Sequence, residues 1–236
     1  MGRLELIPLP GLPEITPGTT LAPLLVEAAR AAGTPLAGGD CLVVTQKVVS
    51  KAEGRLVQLD PADPDARRRL IDAESVRVLR RRGDLVISET AHGWVCANAG
   101  VDLSNVDEGW AALLPLDADR SARRIQAGVQ AVAGVEVAVV ISDTFGRPWR
   151  HGLVDVAIGV AGLAAVVDLR GTEDDRGRPL QVTEVAIADE VASAAELVMG
   201  KARGVPAAIV RGLDPGWFGE GSSASLRRPP GEDLFR

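Results

Sequence analysis

Three apolar runs constrain what this 236-residue chain can fold into: CLVVT at 41–45, VEVAVVIS at 135–142 and VPAAIVRG at 205–212. Each has strand length and few polar residues inside it, so each reads as a strand in the interior of a sheet. Helical patterns lie between them. Thr19 or Thr20 can cap a helix to Gly33, with Leu21, Leu24, Leu25, Ala28 and Ala32 at helical spacing. ADRSARRIQAGVQAVAG at 118–134 reads as helix, and VTEVAIADEVASAAELVMG at 182–200 as a long amphipathic one. The segment 60–84, with Leu70, Ile71, Val76 and Leu79 inward, also reads as helix with a mixed-charge solvated face. Leu4–Ile7 is a short strand broken by Pro8, Pro10, Gly11, Pro13 and Pro17, and 84–88 and 93–96 are strands around an ETAH turn. Strands and helices mix without strict βαβ alternation. The expectation is a single α+β domain over 1–236, with mixed sheets, packed helices, no internal repeat and no linker.

Composition removes several function classes. A formal net charge of −6 argues against general nucleic-acid binding, and the absence of Tyr with only three Phe argues against base stacking. No apolar run of about eighteen residues occurs, so no membrane span is expected. The N-terminus lacks a signal-peptide pattern. Cys41 and Cys96 sit in strand-like apolar surroundings without metal spacing, which fits a reducing cytoplasm. A P-loop and a G-x-S-x-G elbow are absent, and two histidines cannot build a His-rich zinc site. The glycines of GVAGLAAVVDLRG miss the G-x-G-x-x-G spacing and read as packing or turn positions.

What remains is oxygen chemistry at strand ends. In ISDTFGRPWRHG (141–152), Asp143 and Thr144 close a buried strand, and Arg147 and Arg150 follow. A carboxylate beside a hydroxyl suits Mg²⁺ or Mn²⁺ with phosphates completing the shell, although an Asp there also serves as a plain turn former. A second cluster, Asn98, Asp102, Ser104 and Asn105, lies in a loop after another strand. Two such loops could meet around a metal, with Arg147, Arg150 and Lys51 neutralising phosphate oxygens. Lys51 would otherwise be a solvated surface lysine. Glu184 and Glu190 read as solvated positions of an amphipathic helix.

The pieces GLPE, VVTQKVVSKAEG, GVDLSNV, ISDTFGRPWR, VTEVAIADE and AAELVMGK, in this order, resemble the coenzyme F420-0:L-glutamate ligase (coenzyme F420:gamma-glutamyl ligase) family. Ending at DLFR, the chain is similar to the stand-alone form of the ligase rather than to relatives with an appended nitroreductase-like domain. The resemblance implies GTP-dependent addition of L-glutamate to the phospholactyl end of coenzyme F420-0, then γ-linked addition of further glutamates, in an intertwined homodimer. It implies Asp143 and Arg147 as catalytic residues, Asp102 and Asp143 as ligands of one divalent ion, and Thr144 of a second. Nucleotide contacts would come from Leu12, Pro13, Glu14, Ile15, Gln46, Lys51 and Asn105, and from the loop Met199, Gly200, Lys201, Ala202, Arg203 and Gly204. Gln46 stands where the family often has Ser, and Lys201 where many relatives have a metal-supporting Gln; a protonated Lys could pair with phosphate instead. Potassium is a further candidate cofactor. Two other readings stay open on the residues alone: a non-catalytic sensor of GTP and metal, and a dinucleotide-binding oxidoreductase.

Overall fold

The structure is a computed structural model describing residues 2–234, so Phe235 and Arg236 of the DLFR terminus lie outside the described residues. The strands are β1 (Glu5–Leu9), β2 (Cys41–Thr45), β3 (Leu56–Gln58), β4 (Ser75–Arg82), β5 (Leu85–Thr90), β6 (Val95–Ala97), β7 (Trp110–Ala112), β8 (Ala138–Arg147), β9 (Arg150–Ala161), β10 (Val167–Asp168), β11 (Glu184–Val185) and β12 (Ala207–Arg211). The α-helices are α1 (Leu21–Ala31), α2 (Gln46–Ala52), α3 (Ala66–Glu74), α4 (Ala118–Ala133) and α5 (Ile187–Met199). The fold is α+β.

The three apolar runs are the centre of a five-stranded mixed sheet ordered β1-β12-β2-β8-β9, in which only β2 and β8 are parallel. Both faces are covered, which is why these strands lack polar alternation. Leu42, Val44, Val139, Ile141 and Ile209 face α1 and α4. Cys41, Val43, Ala138, Val140 and Val210 face α5, against Ala188, Val191, Ala192 and Ala195. Helix α4 is fixed at its start by Asp117, whose side chain accepts from the Arg120 N–H, and stops at Gly134 in the left-handed conformation. Asp119 then ties that helix end to the sheet by accepting from the Val160 N–H at 2.8 Å.

A β-bulge interrupts the pairing of β8 with β9. Ile141 pairs with Gly159 and Ser142 with Ala157, which leaves Ile158 as an extra residue in β9. Ile158 therefore faces the α1/α4 core, as Val156 does. The extra residue reverses the alternation beyond it, so Asp155 comes to lie opposite Thr144 on the α5 side.

Several expectations are corrected. The segment 60–84 is helical only over α3 and then becomes strand β4. SVRVLRRR contains two β-branched residues and pairs along its length with β5. Ser75 ends the helix, its hydroxyl donating to the Ile71 carbonyl at 2.6 Å, and Val76 is 69% exposed rather than inward. The first strand runs through Pro8 to Leu9, which an edge position allows because a missing N–H there breaks no ladder bond. Neither Thr19 nor Thr20 caps α1: the Thr19 hydroxyl donates to the Thr16 carbonyl, and Thr20 makes no side-chain cap bond. Strand β8 does not end at Asp143 and Thr144; burial ends there, while the strand continues to Arg147 as one arm of a hairpin with β9. Beside the main sheet, β4-β5-β6 and β3-β7 form small sheets around Ile71, Val86, Val101, Ala111 and Leu113. Among the described residues no helix is long and apolar enough to cross a membrane.

Candidate active site

Four strand ends meet at one edge of the main sheet: the exits of β1 and β2, the place where β8 leaves the core, and the entry to β12. The carboxyl ends of parallel strands are where open sheets place ligand crevices. Here they open into a cleft of about 580 Å³. Leu12, Pro13, Glu14 and Ile15 form one wall and Gly200, Lys201, Ala202 and Gly204 another. Gln46 and Lys51 contribute from α2, Asp102 and Asn105 from the acidic loop, and Asp143 and Thr144 from β8. The two Asp-bearing segments, more than forty residues apart in sequence, do meet.

Each side chain has a local cause for its position. The Asp102 N–H and carbonyl bridge to Ala112, while its Oδ1 accepts from the Ser104 N–H at 2.7 Å, an Asx turn that holds the carboxylate toward the cleft. Burial would raise the Asp102 pKa, but bonds from Lys47 and Ser104 outweigh it and the net shift is downward. Asp143 shows the opposite balance. Burial pushes it up to about 7; the Thr144 N–H bonded to its Oδ1 at 2.9 Å and the Lys201 charge only partly offset this, and the Asp102 and Asp155 charges add to it. A carboxylate held next to others without a contacting cation fits a site for a positive ligand. Lys51 is not a solvated lysine: its side chain is 14% exposed and paired with Glu14. Gln46 is buried, with its carboxamide oxygen accepting from the Ser50 hydroxyl at 2.8 Å.

Not every expected residue arrives. Met199 is core, packed with Val191 and Ala195 behind the cleft, and Arg203 does not line it. Arg147 and Arg150 sit at the far end of the β8–β9 hairpin, where Arg147 donates to the His151 carbonyl. Neither borders the cleft within one chain, because β8 runs on past the site for three residues. Asn98 turns away, its side-chain oxygen accepting from the Val86 N–H at 3.0 Å. Glu184 pairs with Arg170 and Glu190 is exposed.

Three cleft residues escape sequence reasoning. Asp155 is 2% exposed and accepts from Ser142 Oγ at 2.9 Å and Thr144 Oγ1 at 2.7 Å. Glu196, one turn before the helix stop at Gly200, lines the floor, its pKa raised by burial and by Asp155. Lys47 reaches Asp102 from α2. An acid inside the apolar run LVDVAIGV was the available signal for Asp155. The glycines of that stretch serve packing and turns, as a Cβ on Gly159 would stand 2.5 Å from the Ala118 carbonyl oxygen and Gly162 has φ +72°. This removes the basis of the dinucleotide reading.

The acidic and hydroxyl groups lining the cleft, among them the carboxylates of Asp102, Asp143, Asp155 and Glu196 and the Thr144 hydroxyl, are all oxygen donors, which suits Mg²⁺ or Mn²⁺. Among the described residues no three acidic, His or Cys side chains converge closely enough to cage a metal by themselves. An ion between Asp102 and Asp143 would take its remaining ligands from water or phosphate, as Mg²⁺ commonly does.

The family described as F420-0:Gamma-glutamyl ligase matches residues 11–212. A protein named coenzyme F420:L-glutamate ligase from Methanothermobacter thermautotrophicus is 45% identical over 99% of both chains. Proteins of the same name from Methanopyrus kandleri and Methanocaldococcus jannaschii are 43% and 40% identical, covering 97% and 86% of their lengths and 99% and 86% of this chain. Matches of this extent leave one assignment: the chain belongs to the F420-0:gamma-glutamyl ligase family.

Proposed function

We propose that this chain is a ligase that uses GTP to join L-glutamate to the phospholactyl carboxylate of coenzyme F420-0, and then to the γ-carboxylate of the glutamate just added. The observation that carries the reading is the cleft itself, where Asp102 and Asp143 from separate segments meet Lys51, Gln46 and the 200–204 loop. A carboxylate and an amine do not condense unaided, since the departing hydroxide is a very poor leaving group. In the proposed course a carboxylate oxygen of F420-0 bonds to the γ-phosphorus of GTP and the bond to the β-phosphate oxygen breaks, releasing GDP. The amine of glutamate then bonds to the acyl carbon of the acyl phosphate, the C–O bond to phosphate breaks, and the amine loses a proton.

Phosphoryl transfer needs positioning and charge neutralisation above all. Lys51 and Lys201 supply positive charge on opposite walls, and the 12–15 segment, Gln46 and Asn105 border the space for the nucleoside. Asp102, Asp143 and Thr144 would hold divalent cations, whose chemistry is to neutralise the phosphate oxygens. Mg²⁺ or Mn²⁺ is the proposed cofactor, with K⁺ a candidate activator. A two-fold pair of chains is the proposed assembly and a reducing cytoplasm the proposed compartment, the two cysteines being free and buried. The decisive experiment mixes the chain with F420-0, GTP, Mn²⁺ and glutamate and follows phosphate release. Stoichiometric release that requires all three substrates supports the ligase; nucleotide binding without release supports the sensor.

A further inference from the structure

Lys47 follows Gln46 at the start of α2, and its ammonium is already occupied. Nζ donates to Asp102 Oδ2 at 2.7 Å and to Ser104 Oγ at 2.7 Å, and it also reaches the Ser104 carbonyl oxygen. Those three acceptors use all three N–H donors of an ammonium. The side chain is 13% exposed, so solvent screens the pair poorly. Asp102 is thus neutralised within the chain and held against the cleft wall. Asp143 differs: its hydrogen bond comes from a backbone N–H, and no ammonium or guanidinium is bonded to it among the described residues. Of the two carboxylates assigned to one divalent ion, one already carries a cation.

The contact has a consequence for the order of binding. A metal ion and an ammonium on the same carboxylate oxygen are close neighbours of like charge, and in a site this enclosed their repulsion is strong. An ion arriving alone must push Lys47 off Asp102 and leave its ammonium on the two neutral Ser104 oxygens with no carboxylate to balance its charge, which is costly. An ion arriving with a triphosphate brings anionic oxygens to which the released ammonium can turn. Lys47 lines the same cleft as Lys51 and Asn105, so such an acceptor would lie within the reach of its flexible stem.

We propose that Lys47 is a resident counter-ion of Asp102 that makes divalent-cation binding depend on the nucleotide, disfavouring the free ion and turning to a phosphate oxygen when ion and nucleotide enter together. The inference rests on the reading of the cleft as a metal–nucleotide site.

The test measures Mn²⁺ binding by electron paramagnetic resonance of the full chain, with and without GTP, in wild type, Lys47→Met, Lys47→Gln and Lys47→Arg. Wild type is expected to bind Mn²⁺ at least about tenfold tighter with GTP than without. Lys47→Met is expected to bind free Mn²⁺ about tenfold tighter than wild type and GTP-bound Mn²⁺ more weakly, so the coupling collapses. Lys47→Arg, which keeps the charge, should retain the dependence on GTP. Lys47→Gln removes the charge but keeps a donor for Ser104, and serves if the Met variant does not fold. A folded Met or Gln variant that binds free Mn²⁺ no tighter than wild type overturns the proposal. Wild type that binds no Mn²⁺ even with GTP, or Asp143→Asn that binds it unchanged, brings down the underlying reading of the cleft and the proposal with it.

Discussion

Asp143 is where function and stability oppose each other most directly. Its folded pKa lies near 7, above the unfolded value of 3.8, so the folded state binds this proton more tightly. Ionising it therefore costs stability as pH rises from about 4 to about 7, and that cost is absent below the unfolded pKa. Asp143→Asn should stabilise the metal-free chain at pH 8 by about 1–2 kcal/mol, a rise in melting temperature of roughly 2–8 °C, with the difference vanishing near pH 4. The full shift would imply more, but the carboxyl is partly open to the cleft and solvent screens it. The same substitution should lower ligation by about 10³-fold, since one anionic ligand contributes several kcal/mol of charge stabilisation. Differential scanning fluorimetry across pH and a ligation assay read the two effects. Near-native activity would mean that Asp143 is only a structural residue of strand β8. Lys51→Ala should raise the KM for GTP about tenfold while changing that for glutamate little, because a largely buried ammonium that meets a phosphate is worth about 1.4 kcal/mol or more. Equal effects on both substrates would point to a folding defect. Asp102, Thr144 and Lys51 were legible as cleft residues because hydroxyls, acids and a lysine interrupt or end apolar runs. Lys47 was not, since a lysine four residues before another on one helix carries no mark of which carboxylate it meets.

At the scale of elements, the sheet was legible and its irregularities were not. Continuous apolar runs identified β2, β8 and β12, whereas the α3–β4 segment misled because Arg-rich stretches suit a solvated helix and a solvated strand alike. The bulge at Ile158 is invisible in composition, yet it alone brings Asp155 to Thr144. Arg147 was misplaced for a related reason: nothing in ISDTFGRPWR shows that the strand outlasts its burial. Close packing near the bulge gives a test. A Cβ on Gly159 would meet the Ala118 carbonyl carbon and oxygen at 2.6 and 2.5 Å, both backbone atoms of the α4 start. Gly159→Ala should destabilise by about 1–3 kcal/mol through overpacking. Gly38→Ala, where a Cβ meets nothing within 4 Å, should be near neutral. Thermal melts of the pair check this, and equal melting temperatures would show that α4 yields at no cost.

For the whole molecule, the β8–β9 hairpin leaves the core and carries Trp149, 86% exposed, and Leu153, 64% exposed. Exposed apolar groups of this size on a projecting arm fit a partner surface, and the proposed two-fold pair would cover them. Sedimentation velocity should show a dimer stabilised by GTP and Mn²⁺, shifted toward monomer by the double change Trp149→Ser and Leu153→Ser. A fully active monomer at every concentration would end the dimer proposal. Whether this cleft joins glutamate to F420-0 at the expense of GTP is read directly by mass spectrometry of the products. After incubation with F420-0, GTP, Mn²⁺ and glutamate, products heavier by whole glutamyl units are expected, with GDP formed in step and none of it when F420-0 is left out. GTP consumed without any glutamylated product, or glutamylation that proceeds without GTP, would contradict the proposed reaction.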